Sequence, residues 1–430
     1  MTIASSDGEP LAERHARLTG QAIGGGFIAR YILALVGIWL ALQTPASVTL
    51  AVRVGQLAPD HKGAALALVA SAGAAAALFS NPIFGILSDR SRSRWGKRRP
   101  FIAGGMLCGC LSVIGLGFAP TVPWAVAGWV AAQLSFNAAV ASLIAILPER
   151  VPVRLRGRVS GLMGVTPQIG IVGGTFLIQI VGTQGAGMFV WPSVIGVLVT
   201  LPFVLALREA PPAETDPVPN QRATAVRPRN FSFNLFAHRD YTLAWLGRFF
   251  VWLGLYQLTT YKTYFLIDRL GFTTETVIPV LTKAMFILAA CIVVSSVPGG
   301  WLSDRLERRK PFVVFASMLF VVAMLIVAYA TTVPAFFVGI AVSGFAMGLY
   351  LAVDYALVSQ VLPNARDEAA MGMGVFNLSA TIPQTMAPAL APLLLSIGAS
   401  GSTGNYTSLY LVAAGFALIG ATITQFIRER

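Results

Sequence analysis

Long apolar runs separated by short polar turns pattern this chain from residue 27 to residue 427. Twelve runs are long enough to cross a ~30 Å hydrocarbon layer as helices. They lie at 27–52, 64–87, 100–120, 123–147, 157–181, 189–208, 241–266, 277–302, 311–330, 334–360, 368–397 and 407–427, numbered below as spans 1 to 12. The longest interruption is polar and proline-rich, with Pro211, Pro212, Pro217, Pro219 and Pro228, and reads as a linker between two halves. The expected organisation is a tail at 1–26, a six-helix bundle at 27–208, a linker at 209–240 and a second six-helix bundle at 241–430. The predicted fold is therefore an all-α membrane protein of twelve transmembrane helices in two pseudo-symmetric bundles.

A repeat supports that division. Gly85-Ile86-Leu87-Ser88-Asp89-Arg90, leading to Lys97-Arg98-Arg99-Pro100-Phe101, returns as Gly300-Trp301-Leu302-Ser303-Asp304-Arg305, leading to Arg308-Arg309-Lys310-Pro311-Phe312. Each copy joins the end of one apolar run to the start of the next. Leu147-Pro148 and Leu362-Pro363 close spans 4 and 10, and Pro167-Gln168 and Pro383-Gln384 sit within spans 5 and 11. Parallel halves marked at corresponding places are the pattern of a transporter built by duplication.

Composition narrows the class further. Hydrophobic residues make up 56% of the 430, and charged residues only 11%, which excludes an ordinary soluble enzyme. The net charge of +13 comes from short basic turns between apolar runs, not from a nucleic-acid-binding face. Cations collect after spans 2, 4, 6 and 8, so the positive-inside rule puts both termini in the cytoplasm. Cys108, Cys110 and Cys291 all lie in apolar runs and suggest neither a metal site nor a disulfide. The first residues lack a cleavable apolar core, and a retained tail is expected.

With these motifs in place, the chain resembles the major facilitator superfamily, whose signature between spans 2 and 3 matches both copies of the repeat. The stretch Asn81-Pro82-Ile83 through Lys97-Arg98-Arg99-Pro100-Phe101 is similar to sucrose/proton symporters and to melibiose-type glycoside–pentoside–hexuronide carriers. Gly348-Leu349-Tyr350-Leu351-Ala352-Val353-Asp354 also looks like that branch. The resemblance implies secondary transport of a sugar or glycoside driven by a cation. Two departures bear on the cation. The sodium-binding acids of span 2 in melibiose-type carriers are replaced by Ala77 and Asn81, and span 4 lacks the acid of plant sucrose symporters.

The candidate residues form three sets. Asp89, Arg90, Arg98, Arg99, Arg156, Asp304, Arg305 and Arg309 are expected to form a cytoplasmic gate, the alternative being topology enforcement and contact with anionic lipid. Asp354 is the only acid well inside a span, about eight residues from the end of span 10. Arg248 lies at matching depth on span 7, roughly 10–12 Å in. The two are expected to face each other, either as a coupling site or as a static buried pair. The substrate set is Gln43, Asn137, Gln168, Trp252, Tyr256, Gln257, Lys283, Tyr350, Asn377 and Gln384, because sugars are held by aromatic faces with amide and hydroxyl partners. Helix-to-helix bonding, an interfacial aromatic belt and snorkelling lysines are the ordinary alternatives.

These readings converge on an alternating-access carrier of a sugar or glycoside in the cell (inner) membrane. The expected coupling ion is the proton, and no cofactor or metal is expected. Its partners would be a small-molecule substrate and the lipid bilayer, with no nucleic acid, and the protein would act as a monomer. A proton-coupled exporter of a drug or amphipathic metabolite is one alternative, and a non-transporting sensor another. No nucleophile–base pair or nucleotide loop points to an enzyme.

Overall fold

A computed structural model of the protein describes residues 24–91, 93–209, 236, 238–306, 308–361, 369–399 and 404–428. Among the described residues the architecture is twelve long helices joined by short turns, without a strand. They are α1 Gly25–Leu57, α2 Lys62–Asp89, α3 Arg99–Gly117, α4 Val122–Arg150, α5 Val153–Val181 and α6 Gly187–Ala206. The second series is α7 Arg239–Asp268, α8 Val277–Leu306, α9 Lys310–Ala328, α10 Val333–Val361, α11 Ala369–Ser396 and α12 Tyr406–Gln425. The linker expected at 209–240 lies almost wholly outside the described residues.

Eleven of these helices are long and apolar enough to span a membrane on their own. The exception is α7, which has 30 residues but carries Arg239, Asp240, Arg248, Lys262 and Asp268. Its length of about 45 Å suffices to cross. Its polarity has to be paid inside the protein.

Local chemistry sets the helix ends. Proline opens α3, α4 and α9, where its missing N–H costs nothing. Asn405 caps α12, its side-chain oxygen accepting from the amides of Thr407 at 3.1 Å and Ser408 at 3.3 Å. α1 is not uniform: Pro45–Thr49 forms a π-helical turn between Gly25–Thr44 and Leu50–Leu57. Pro45 cannot donate back to Ala41, so the α-ladder breaks there. Pro167, Pro383 and Pro388 sit within α5 and α11.

The chain divides into two compact units. One comprises the described residues of Met1–Thr49 and Ala75–Arg229, the other those of Leu50–Ala74 and Asn230–Arg430. Residues 50–74, which include the end of α1 and the start of α2, thus belong with the second unit.

Each unit is knitted by the same device. In the first, a Cβ on Gly196 of α6 would come 2.7 Å from the Gly37 carbonyl oxygen of α1. In the second, a Cβ on Gly420 of α12 would come 2.6 Å from the Gly247 carbonyl oxygen of α7. A Cβ on Gly37 or Gly247 would likewise come 2.5 Å from the hydroxyl of Thr200 or Thr424, each one turn beyond the glycine of its own helix. Close backbone approach through small residues is how helices associate without a hydrophobic driving force between them. Large apolar side chains instead point outward, as with Leu111, Trp124 and Leu205 in the first unit and Phe286, Val297 and Phe315 in the second. In a bilayer these are the groups that meet lipid.

Candidate functional site

The second unit holds a buried ion pair. Arg248 Nη1 on α7 and Asp354 Oδ2 on α10 are 2.8 Å apart, and each residue is 3% exposed. The Tyr350 hydroxyl, one turn earlier on α10, hydrogen-bonds the same carboxyl. The Arg248 guanidinium also lies 4.5 Å from the Phe376 ring centroid and 5.8 Å from that of Trp252. Two desolvated charges, a phenol and two aromatic faces therefore converge on one place, where each charge is affordable only because the other is present.

Further along α7, Trp252 and Tyr256 present tilted rings with centroids 5.5 Å apart. Among the described residues, the indole Nε1 of Trp252 and both amide atoms of the fully buried Gln257 have no hydrogen-bond partner, nor has Thr385 Oγ1 on α11. Buried polar atoms are nearly always satisfied. Unsatisfied donors and acceptors on a helix that also carries Trp252 and Tyr256 are suited to a hydroxyl-rich ligand. Lys262 lies higher on the same helix, 3% exposed, its Nζ donating to Thr259 O at 2.6 Å. Among the described residues no carboxylate pairs with it.

The remaining substrate candidates are not all brought to that place. On α11, Gln384 is half-buried and Asn377 exposed, and Lys283 on α8 is exposed. In the first unit, Gln43 on α1 and Gln168 on α5 are half-buried. Asn137 spends its amide within α4, donating to Gln133 O at 2.8 Å and Gln133 Oε1 at 3.1 Å.

The basic turn of the first unit is a closed charge network. The Arg98 guanidinium, 4% exposed, donates to Ser88 Oγ, to Asp89 Oδ1 and to both carboxylate oxygens of Glu149. Lys97 adds its ammonium at 3.5 Å from Asp89 and 3.6 Å from Glu149. Burial opposes the Arg98 charge, yet Glu149 and Asp89 hold the guanidinium above its ordinary value. Glu209, just past α6, accepts from the amides of Arg98 and Arg99 at 3.0–3.1 Å and so caps α3. Arg150 lies 3.9 Å from the same carboxylate.

The gate set thus divides. Asp89 and Arg98 bind each other inside the first unit, and Arg99 contributes its backbone amide. Arg156 donates to the carbonyls of Val151 at 2.9 Å and Pro148 at 2.7 Å, closing the end of α4. Arg90 and Arg305 are exposed, the latter 5.2 Å from the Trp301 ring centroid, and Arg309 is half-buried at the start of α9. The side chain of Asp304 lies outside the described residues. The sequence reading missed Glu149, Glu209 and Ser88. The available signal was that a chain with only 18 acidic residues places two of them beside arginines at span ends.

Comparison with known proteins agrees with this architecture. The family profile described as Major Facilitator Superfamily matches residues 22–295 and again 274–430. Among solved structures, the nucleoside transporter NupG superposes with a TM-score of 0.74 at 14% identity, covering 93% of this chain and 98% of that one. The D-xylose–proton symporter gives 0.72 at 14% identity, covering 94% of this chain and 99% of the other. A bacterial homologue of the human lysosomal transporter Spinster, inward-facing and unoccupied, gives 0.70 at 16%, covering 95% and 100%. At such identities the likeness is one of fold. Sucrose transport protein SUT1 of Oryza sativa subsp. japonica is 40% identical over 53 residues, 12% of this chain. The match spans only 10% of that relative's length. With the profile matching nearly the whole chain and apolar helices throughout, the protein belongs to the Major Facilitator Superfamily and is a multi-pass membrane protein.

Proposed function

We propose that the protein carries a sugar or glycoside by alternating access, as a proton symporter, in the cell membrane with both termini cytoplasmic. The observation that carries this reading is the constellation in the second unit: unsatisfied Trp252 Nε1 and Gln257 amide atoms on the helix that also bears the Arg248–Asp354 pair. A sugar supplies the missing donors and acceptors and stacks its C–H face on the indole. Asp354 is the proton carrier in this scheme and Arg248 the group that releases or recaptures its charge. The 53-residue likeness to a sucrose transporter and the fold shared with a xylose–proton symporter point the same way.

Thermal-shift screening of the purified protein against sugars, glycosides and nucleosides, followed by vesicle uptake with and without a pH gradient, tests the reading. A sugar that raises the melting temperature and accumulates only with an inward proton gradient supports it. No response to any sugar or glycoside defeats it. For Asp354→Asn, exchange of labelled for unlabelled substrate is expected to persist while uphill uptake stops. Loss of both would remove the proton-carrier role.

A second reading has one observation in its favour. Lys262 is buried without a carboxylate partner among the described residues, which suits a substrate carrying an anionic group, such as an acidic glycoside. A Lys262→Met protein that loses acidic substrates and keeps neutral ones would favour it.

A further inference from the structure

α1 and α2 change partners part-way along their lengths. Up to Thr44, α1 is pressed onto α5: a Cβ on Gly170 would come 2.7 Å from the Trp39 carbonyl carbon, and one on Gly174 would collide with the Thr44 side chain. From Ala51 onward α1 belongs with α7, the Ala51 carbonyl accepting the Tyr264 hydroxyl at 2.8 Å. Between the two lies the π-helical turn Pro45–Thr49. α2 behaves alike. Ser80 Oγ donates to the Leu134 carbonyl of α4 at 2.9 Å, whereas the Gly63 carbonyl accepts the Tyr261 hydroxyl of α7 at 3.0 Å. Between these lies Ser71-Ala72-Gly73-Ala74-Ala75-Ala76-Ala77, where no side chain is larger than serine. The boundary between the units falls in both segments, at Thr49/Leu50 and at Ala74/Ala75.

The contacts differ in kind on the two sides. Below the boundary α1 meets α5 by close packing at glycine. Above it polar bonds are added to buried apolar side chains such as Val52, Val54, Leu66 and Val69. Lys62 Nζ pairs with Asp268 Oδ1, and its ammonium lies 5.3 Å from the Tyr264 ring centroid. The Tyr406 hydroxyl of α12 donates to Asp268 Oδ2 at 2.6 Å, so one carboxylate fastens residue 62 to the ends of both α7 and α12. Lys62, its side chain 29% exposed, is the member of this set that water reaches most easily, so its bond to Asp268 is the one most readily exchanged. π-turns and ladder breaks at proline are where long helices bend.

We infer that residues 50–74 form a hinged gate, swinging about the turn at 45–49 and the small-residue run at 71–77, and latched shut by Asp268 holding Lys62 and Tyr406. This rests on the alternating-access reading above, to which it adds a moving part distinct from rigid rocking of whole bundles. When Asp268 releases Lys62, the segment leaves α7 and α12 and opens the end of the protein away from the basic turns.

Spin labels test this in the full-length protein with its three native cysteines replaced. Nitroxides at 60 and 275, both exposed positions of the second unit, report the latch, and labels at 60 and 121 report the hinge. Two populations are expected for the 60–275 distance, the longer one enriched at least fivefold by Asp268→Asn and suppressed by Pro45→Ala, which restores the missing amide. The 60–121 distance is expected to change in step. If Asp268→Asn does not fold, Lys62→Gln removes the same ion pair. A single 60–275 distance unaffected by either variant would make 50–74 a fixed part of the second unit and overturn the inference. So would a 60–275 change with a constant 60–121 distance, since the segment would then ride rigidly with the rest of α1 and α2. Wild-type uptake measured alongside separates the two readings: absent flux would sink the transport proposal while the label distances still judge the hinge.

Discussion

The two basic turns are close copies as strings, yet the contacts they make among the described residues differ. In the first, Glu149 and Glu209 supply counter-charge, enclosing Arg98 and capping α3. In the second, Leu362-Pro363 is followed by Asn364-Ala365 where Leu147-Pro148 is followed by Glu149-Arg150. Lys310, which matches Arg99, donates instead to the carbonyls of Gln425 and Ile427 at 3.0 Å, at the end of α12. Arg305 rests on Trp301. The first turn is thus an internally balanced brace. Among the described residues, the second sets Lys310 against a helix terminus and Arg305 against a ring.

The asymmetry reverses deeper in the structure. Aligning Leu362-Pro363 with Leu147-Pro148 sets Asp354 against Ala139, and aligning Gly247 with Gly37 sets Arg248 against Ile38. Ala139 and Ile38 are fully buried apolar residues. Among the described residues, the first unit buries its charge at the basic turn, at Arg98 and Arg150, and only the second buries an Arg–Asp pair at this depth. Function in this protein is expected to be lopsided toward the second unit.

That comparison can be broken or sharpened by substitution. The largest effect is expected for Arg248→Leu, which strands the buried Asp354 carboxylate and should cost about 3–5 kcal/mol, seen as a lowered melting temperature in detergent. Writing the first unit's residues into the second, Arg248→Ile with Asp354→Ala, should recover most of that stability while uphill uptake stays absent. A double variant as unstable as the single one would show that the pair is not a mutual neutraliser.

Next, Glu149→Gln should cost about 1.5–3 kcal/mol by unbracing Arg98, whereas Asn364→Gln should change the melt by less than roughly 0.5 kcal/mol. Equal losses would erase the contrast between the turns. Gly196→Ala and Gly420→Ala are each expected to cost roughly 1–3 kcal/mol, because a Cβ has no room against the facing carbonyl. Their agreement within ~0.5 kcal/mol would show that the two scaffolds are energetically equivalent. A small effect is also expected for Lys310→Met, about 0.3–1 kcal/mol from the end of α12, and it should fade in high salt.

Some of the site was legible before any coordinates. Arg248 and Asp354 stand out because a charge in an apolar run is costly, and counting residues from the helix ends places them at one depth. Glu149 and Glu209 were not legible in the same way, since acids at span ends are cheap and the partner is chosen by the fold. Asp89 was legible as a member of a gate, but its partner Arg98, nine residues away in its own turn, was not. The Lys62–Asp268 latch joins residues 206 apart, and nothing local in either segment announces it. The matched Gly196–Thr200 and Gly420–Thr424 pairs were visible as letters, but their meaning needed the helices they touch.

What the sequence alone determined is the membrane, the helices and the duplication. Each follows from local rules: apolar length against bilayer thickness, proline at helix starts, and a motif written twice. What only the tertiary structure decided is which groups meet: the carboxylates around Arg98, the unsatisfied amide of Gln257, and the level at which α1 and α2 change allegiance. Those depend on helix rotation and on contacts between distant segments, and a side chain's partner across a helix interface is set by the packing of the whole bundle, not by its neighbours in the chain.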